Sequence, residues 1–511
     1  MLSVLLVTAT LKAQTIEHKR EHKRTLNPNR TYTYLKLPPR VTSLSEWLSK
    51  GMWYGRLRVH GFRWNWHEET RSRKDNWSLG LGGSMTLKTA YFYGLGATID
   101  AYTSQNPWHM SKDEIIYLKG GKDTLSRHDV YADDRFDMNV IAQLYAEYKL
   151  GRSSLKYGRQ KFESILIKSN DSKMIPNTFE GVTLHSKDLP KHTFKLAWFT
   201  KQKLRDHTTF HEPLTYGNRS LSGLSPRDKL MAIWSGNDDA AMHRGLSYDN
   251  YHKAGMSADH DLLVFETISK AAKNLKGVVD YTAVPDVLSS LVLEFNYKIP
   301  LHSTYTLIPG VRGLKQFDNG GGKVGGASLT GLIGPYGKYA GQSGGYDDPD
   351  SLDGWLAMGR IDLRKKEAPW RLRAAYSQVG DEADIVAPWR GFPTGGYTRS
   401  MGQYNWLANA KTWMFRADYD FAKAGLIPGF SVVARIAFED FDQGKYVVTS
   451  SGKKIYLQPS DRTVYHFDLT QKFAKVPGFE MRLRVAFVDA DKMYGINQSY
   501  EAMRFEMNYL F

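Results

Sequence analysis

The chain ends on "RFEMNYLF", residues 504–511, in which apolar and polar residues alternate up to the last position. A β-strand points successive side chains to opposite faces, so one face of this segment is apolar: Phe505, Met507, Tyr509 and Phe511. Chain ends are usually frayed and polar. This end therefore predicts a strand that is paired with a neighbour up to its last residue.

The same alternation returns along the chain in segments of about ten residues, the length that a tilted transmembrane strand needs. In "TWMFRADYDF" (412–421), Trp413 and Phe415 share one face, whereas Arg416 and Asp418 share the other. Strands of soluble proteins are shorter, with a mode of about five or six residues. Aromatic residues at the ends of the apolar faces are typical of the interfacial girdles of membrane barrels. The pattern favours a barrel with lipid outside and a polar lumen over a soluble sandwich.

The connections between these segments alternate between short ones, such as 149–153 and 187–192, and long ones, such as 202–261 and 318–353. Short turns at one rim and long loops at the other are the arrangement of bacterial barrels. Counting in this way predicts an all-β fold, an 18-stranded antiparallel transmembrane β-barrel over 51–511. Its first strand is predicted at 52–62 and its third at 91–104, with 325–340 assigned to a loop. A barrel has no free edge, so the last strand is expected to pair with the first.

Composition excludes several other classes of protein. The 511 residues carry a net charge of +16, but Lys and Arg are interleaved with Asp and Glu, so a nucleic-acid partner is not expected. The absence of cysteine excludes disulfides, thiolate metal sites and cysteine nucleophiles. HExxH and nucleophile-elbow motifs are missing, and "GGGKVGG" (320–326) lacks the Ser or Thr of a phosphate-binding loop. We therefore predict no enzyme, no metal and no cofactor.

The N-terminus holds an apolar run of about ten residues, from Leu2 to Leu11, which is too short to span a bilayer. It is similar to the apolar core of a secretory signal, with Ala13 before the cleavage site. The sequence thus predicts a signal peptide over 1–13, truncated because its basic segment is missing, and a periplasmic arm over 14–50. A buried N-terminal strand is the alternative.

The segment "GRQKFESILIKSNDSKMIPNTFEG" (158–181) resembles a strand–loop–strand region of the OprD-like family of substrate-specific outer-membrane porins. The first strand "SKGMWYGRLRVHGF" (49–62) and the hairpins at 418–435 and 471–484 also resemble that family. The resemblance covers about residues 46–511. It implies an outer-membrane location, passive and selective diffusion of small solutes, and a third loop that folds inward.

The resemblance also implies a basic ladder on one wall of the channel. Arginines that face lipid at mid-depth would cost about 2–4 kcal/mol each, so those on the polar faces are expected in the lumen, together with Arg56, Arg58, Arg364 and Arg504. The predicted ladder comprises Arg360, Arg371, Arg373, Arg416, Arg435, Arg482 and Arg484. The predicted constriction residues of the third loop are Asn170, Asp171, Ser172 and Lys173. The alternative for any single arginine is an internal ion pair that contacts no solute.

These residues predict a porin for small hydrophilic solutes that carry a carboxylate, with amino acids and dicarboxylates both open. Expected partners are outer-membrane lipids, these solutes, and the assembly machinery that reads an aromatic C-terminus, here Tyr509 and Phe511. A monomer and a homotrimer are both consistent with the sequence. Two other hypotheses are a surface adhesin built on a barrel and a secreted soluble β-rich protein that acts on carbohydrate.

Overall fold

The computed structural model describes residues 24–26, 31–34, 37–118, 124–215, 243–302, 304–387, 391–402 and 404–511. Eighteen antiparallel strands form a closed barrel. They are Met52–Trp66 (β1), Asn76–Lys88 (β2), Leu95–His109 (β3), Met138–Leu150 (β4), Ser153–Gln160 (β5), Thr178–Ser186 (β6), His192–Lys203 (β7), Leu262–Ser269 (β8), Leu275–Val284 (β9), Leu288–Tyr297 (β10), Tyr305–Asp318 (β11), Gly354–Lys365 (β12), Trp370–Val379 (β13), Lys411–Asp420 (β14), Phe430–Asp440 (β15), Arg462–Lys472 (β16), Phe479–Ala490 (β17) and Tyr500–Leu510 (β18).

The remaining elements are short. The helices are Leu44–Ser49 (α1), Arg127–Asp133 (α2), Tyr248–Lys253 (α3), Gly322–Gly325 (α4) and a 3-10 turn at Ile115–Tyr117. The minor strands are Arg24–Leu26, Tyr32–Tyr34, Arg40–Val41, Tyr91–Phe92, Ile299–Leu301, Tyr446–Val448 and Lys454–Tyr456. Within the described ranges, none of the helices is both long and apolar enough to cross a membrane.

The predicted 18-stranded barrel is confirmed, and the boundaries of two strands are corrected. β1 runs on to Trp66, because Trp64 stacks on Tyr500 of β18 with ring centroids 4.0 Å apart. The prediction of the third strand at 91–104 was wrong at both ends. Tyr93 and Gly94 form a turn with positive φ, and Tyr91–Phe92 pairs with Arg40–Val41, so β3 begins at Leu95 and continues to His109.

Residues 325–340 contain no strand, as predicted for a loop. The predicted signal peptide, residues 1–13, lies outside the described residues. The periplasmic arm over 14–50 stays a prediction, although its described part after residue 37 packs at the rim with the short turns. There Tyr91 N donates to the carbonyl oxygen of Pro39 over 2.8 Å.

The barrel closes where β18 pairs with β1, from Tyr500 opposite Trp66 to Leu510 opposite Arg56. Phe511 continues this seam, because its N–H donates to the Gly55 carbonyl (3.0 Å) and its carbonyl accepts from Gly55 N–H (2.9 Å). The Phe511 ring lies over Gly55, so that a Cβ added there would be 2.7 Å from its Cζ. The aromatic end is therefore part of the closing sheet.

Side chains alternate between the two faces as the sequence predicts. In β14, Trp413 and Phe415 are exposed on the outer surface, whereas Met414 between them is buried inside. Near the rim with the long loops, the inner faces become apolar and pack against the loops. Val379 and Val464 of the barrel wall share a cluster with Ile385 and Trp406 of the β13–β14 loop. The β13–β14 loop therefore packs against the inner wall at this rim.

We predict that Gly55→Val reduces the fraction of chain that assembles into a closed barrel. The new side chain overlaps the Phe511 ring and the Ser84 carbonyl, and overpacking of this kind costs about 1–3 kcal/mol. The measurement is the heat-modifiable mobility of the outer-membrane fraction on a denaturing gel. Gly359→Val is the matched control, because Gly359 also lies on the outer face of a strand and a Cβ there meets nothing within 4 Å. Equal assembly of both variants would contradict the prediction.

Candidate pore constriction and its charged wall

The third long loop, residues 161–177 between β5 and β6, is tied to the inner wall by Asp171. Its Oδ1 accepts hydrogen bonds from Arg56 Nη2 (2.7 Å) and Arg58 Nη1 (3.2 Å) of β1. Its backbone oxygen accepts from Arg58 Nη2 (2.8 Å), and its Oδ2 accepts from the Tyr102 hydroxyl of β3 (2.9 Å). All four side chains are buried. Asp171 therefore anchors the loop against the barrel wall.

A second set of polar contacts supports this anchor. Lys161, the first residue of the loop, donates from Nζ to the Tyr102 hydroxyl (3.0 Å) and to Asp100 Oδ2 (3.3 Å). Asp100 also accepts from Gln143 Nε2 (2.7 Å) and from the Thr86 hydroxyl (2.9 Å). Side chains from β2, β3 and β4 thus meet at the start of the loop, which satisfies the buried charges there.

Of the four predicted constriction residues, Asn170, Asp171 and Lys173 are buried. The half-buried Ser172 donates from its hydroxyl to Asn170 Oδ1 over 2.9 Å. The Lys173 ammonium lies 5.4 Å from the centroid of the Phe62 ring. Asp171 and Lys173 thus contact the wall, whereas Asn170 and Ser172 bond each other within the loop, and the role of all four in contacting a solute stays a prediction.

The charge state of Asp171 follows from its neighbours. Burial by itself would raise the pKa of this carboxyl, but Arg56, Arg58 and Lys161 outweigh burial and hold the pKa below its ordinary value of 3.8. Asp171 is therefore ionised at neutral pH. Arg56 and Arg58, which were expected in the lumen, are engaged in internal ion pairs with it.

A second loop also enters the barrel, and this inward fold was not predicted from the sequence. The Gly396 carbonyl, in the β13–β14 loop, accepts hydrogen bonds from Arg360 Nη1 (2.6 Å) and from Arg373 Nη1. Arg312 Nη1 of β11 donates to the carbonyls of Pro393 (2.8 Å) and Gly395 (3.0 Å). Residues 391–402, here called the inner segment of this loop, are thus held by three arginines.

A signal for the inner segment was present in "PTGGY" (393–397), a Gly-Gly pair between Pro and Tyr. Gly396 has a φ of +84°, a conformation that favours glycine and that lets its carbonyl turn toward the arginines. The Tyr397 ring then lies under the guanidinium groups of Arg312 (4.8 Å) and Arg360 (4.7 Å). This segment also meets the third loop, because Gly391 packs against the backbone of Leu166.

The predicted ladder arginines fall into a row across neighbouring strands. Arg373 is directly opposite Arg416, Arg416 is opposite Arg435, and Arg435 is opposite His466. On β17 the residue opposite His466 is Ala486, and Arg484 lies two residues before it. Arg484 is in turn directly opposite Arg504 of β18, so the row continues with an offset of two residues. Strands lie about 4.8 Å apart, so the first four members span roughly 14 Å. With strands tilted by about 35–45°, the row also climbs along the barrel axis.

Like charges that face each other across a sheet are destabilising, and shared carboxylates offset this repulsion. Asp418 bonds both Arg371 and Arg416, and Asp468 bonds both Arg435 and Arg484. Asp362 bonds Arg373 through Nε (2.5 Å) and lies 3.9 Å from Arg360. Glu506 bonds Arg482. Seven predicted ladder arginines therefore share four carboxylates, and this part of the wall keeps an excess of positive charge.

Arg373 is buried, whereas the other six ladder side chains keep exposed fractions between 11% and 25%. The buried Nε atom of Arg504 forms no hydrogen bond with any residue in the described ranges. Arg364 is exposed at the end of β12 near the short turns. Among the described residues, no group of three or more His, Asp or Glu side chains has a metal-binding arrangement.

A closed eighteen-stranded barrel with an apolar outer surface, a charged inner wall and inward-folded loops defines an outer-membrane porin. The model of the outer membrane porin, OprD family, matches residues 65–455. The chain belongs to this family, which places it in the bacterial outer membrane and makes lipids and small solutes its partners. A comparison with curated proteins gave no match.

Several solved porins share the fold. OccK9 (OpdG) of Pseudomonas aeruginosa is 17% identical with a TM-score of 0.64, over 91% of this chain and 99% of its own. OccAB3 of Acinetobacter baumannii is 15% identical with a TM-score of 0.64, over 90% of this chain and 99% of its own. Pseudomonas aeruginosa OpdK, solved with vanillate, is 14% identical with a TM-score of 0.60, over 90% and 98%. At these identities the likeness establishes the fold alone.

We predict that Asp171→Asn releases the third loop from the wall. The amide cannot balance the buried Arg56 and Arg58 charges, and breaking a buried ion pair by removing one partner costs about 3–5 kcal/mol. Single-channel recordings should show a larger conductance with more frequent fluctuations. Asp134→Asn is the control, because Asp134 forms a largely exposed pair with Lys112. If the conductance and its fluctuations in Asp171→Asn equal those of the wild type, the bonds of Asp171 do not set the position of the loop.

The anchor also predicts a pH dependence. A carboxyl whose pKa is depressed in the folded state contributes stability above its unfolded pKa, and this stability is lost as the pH falls through the folded value. Because the pKa of Asp171 lies below 3.8, wild-type conductance should stay constant as the pH is lowered to about 4 and change only below that. Asp171→Asn should lack this acid transition. A transition at the same pH in both proteins would assign it to another group.

Proposed function

We propose that this porin allows passive, selective diffusion of small hydrophilic solutes that carry a carboxylate. The observation that supports the proposal is the set of seven ladder arginines, six of them partly exposed, which share four carboxylates. A guanidinium group stays charged and offers a planar fork of donors that matches a carboxylate. The wall therefore attracts an anion along its whole length.

Movement along the row requires that each contact be exchanged easily. Arg373, Arg416 and Arg435 occupy successive strands, so a solute carboxylate leaves one fork as it meets the next. The shared Asp418 and Asp468 compete with the solute for the same donors. This competition weakens every binding step, and a channel must bind weakly enough to release its solute.

Carboxylates are favoured over solutes whose main feature is an ammonium group. Each of the four carboxylates that serve the ladder is bonded to arginine, so this wall presents donors in excess of acceptors. OpdK was solved with vanillate, which supports a carboxylate solute for this chain. Monocarboxylates and dicarboxylates both fit the row, whereas amino acids need an additional acidic contact.

Recognition of the aromatic C-terminus by the assembly machinery is a further proposal, and so is a monomeric or homotrimeric state. The aromatic side chains of Tyr509 and Phe511 lie on the outer face of the last strand, at the rim of the short turns. An assembly factor that binds an unpaired last strand would meet both side chains before the barrel closes.

We predict that the double variant Arg371→Gln and Arg435→Gln lowers anion selectivity. Asp418 stays bonded to Arg416 and Asp468 to Arg484, so the variant removes two positive charges without leaving a carboxylate unpaired. One charge at about 8 Å in water is worth about 0.5 kcal/mol, so the loss of two charges costs a passing anion about 1 kcal/mol, and the anion-to-cation permeability ratio should fall at least about five-fold. Reversal potentials across a salt gradient in planar bilayers measure this ratio.

The matched control is Lys423→Gln with Lys475→Gln, which removes the same charge from exposed positions in two short turns. Its permeability ratio should stay close to that of the wild type. An equal change in both double variants would indicate an effect of net charge, and no change in either would contradict a solute path along the arginine row.

The solute class is tested by competition with neutral analogues. Succinate and benzoate should reduce single-channel current through the wild type, whereas succinamide and benzamide should not. The reduction should weaken in the Arg371→Gln and Arg435→Gln variant and persist in the lysine control. Equal effects of the carboxylates and their amides would exclude recognition of the charged group.

A further inference from the structure

Helix α1, Leu44–Ser49, precedes the segment that the family model matches. It lies at the rim of the barrel that carries the short turns. The Trp47 indole donates from Nε1 to the Leu95 carbonyl over 3.1 Å. The Trp47 carbonyl accepts from Ala90 N–H over 2.8 Å. These two bonds hold the helix against the β2–β3 turn, at the rim that carries the short turns.

The helix has two different sides. Leu44 and Leu48 are one turn apart and share a side, and they are 65% and 68% exposed. The opposite side carries Glu46, which forms an i,i+4 ion pair with Lys50 over 2.5 Å. Ser49 lies between the two sides and is exposed. A short helix thus presents two leucines that the described part of the protein leaves uncovered.

The barrel wall next to the helix is the surface that faces lipid. Leu95, whose carbonyl binds Trp47, has an exposed side chain on the outer face at the start of β3. Leu87 is exposed near the C-terminal end of β2, directly opposite Trp53 of β1. Through Trp47, α1 is therefore placed beside the edge of the apolar outer surface at the rim with the short turns.

We propose that α1 lies in the headgroup region of the periplasmic leaflet, with Leu44 and Leu48 inserted among the acyl chains of its phospholipids. An amphipathic helix of this kind binds in the interface plane, with apolar residues below and charged residues above. Trp47 lies at the depth where tryptophan is enriched at membrane interfaces. The helix anchors the segment that precedes β1 to the membrane, independently of the solute that the channel carries.

The absence of cysteine from the chain allows a direct test. Leu48→Cys and Leu44→Cys are each labelled with bimane in the full-length protein and reconstituted into phosphatidylethanolamine–phosphatidylglycerol vesicles. Ser49→Cys is the matched control on the same helix. Leu150→Cys is the lipid-facing reference, because Leu150 is exposed on the outer face at the C-terminal end of β4. Heat-modifiable gel mobility confirms that each labelled barrel is folded.

Two quenchers are compared: lipid with a nitroxide near the headgroup, and iodide on both sides of the membrane. We expect the nitroxide lipid to quench labels at 44, 48 and 150 at least about two-fold more than the label at 49. Iodide should show the reverse order. If labels at 44 and 48 are quenched by iodide as strongly as the label at 49, and are insensitive to the nitroxide lipid, the leucines face water and the proposal is wrong.

Discussion

The hydrocarbon interior of a membrane offers no hydrogen-bond partner to a polypeptide backbone, so every N–H and C=O within it must be paired inside the protein. An open sheet fails this requirement at its two edges. This chain satisfies it by pairing β18 with β1 through to Leu510, with Phe511 bonded to Gly55 beyond the last strand residue. The absence of a side chain on Gly55 leaves room for the Phe511 ring, so closure depends on both ends of the barrel sequence.

Closure also decides where the charges are placed. Arginine on the outer face would be costly, so the alternation of each strand places it inside, and the register then brings Arg373, Arg416 and Arg435 side by side. Such a row would repel itself without Asp362, Asp418 and Asp468. The ion pairs that stabilise the wall are thus the same contacts that, in the proposed function, a passing carboxylate must replace. The same arginine–carboxylate pairs therefore stabilise the wall and, in the proposed function, weaken the binding of a solute.

Two loops fold into the barrel, and both are held by arginine. Asp171 ties the third loop to Arg56 and Arg58, whereas the Gly396 carbonyl ties the inner segment to Arg360 and Arg373. The two devices differ in chemistry. The Asp171 carboxylate brings its own negative charge to Arg56 and Arg58, whereas the Gly396 carbonyl brings none, and Arg360 and Arg373 share Asp362 of the barrel wall instead.

The strand number, the closing strand and the face of each side chain could be predicted from the sequence alone. These features depend on a period of two, which a barrel between lipid and water enforces along every strand. Asp171 was also found, from a family resemblance, but its complete burial was not. Its partners Arg56 and Tyr102 are distant in sequence. The inner segment at 391–402 was missed because no periodic pattern marks a loop that turns inward.

Sequence by itself therefore determined the architecture, since lipid on one side and water on the other leave one arrangement for each alternating strand. Only the tertiary structure decided which arginines are buried in internal ion pairs and which stay partly exposed. That choice depends on the register between strands and on where the loops enter the barrel. Both are set by contacts between residues far apart in the chain, which no local pattern records.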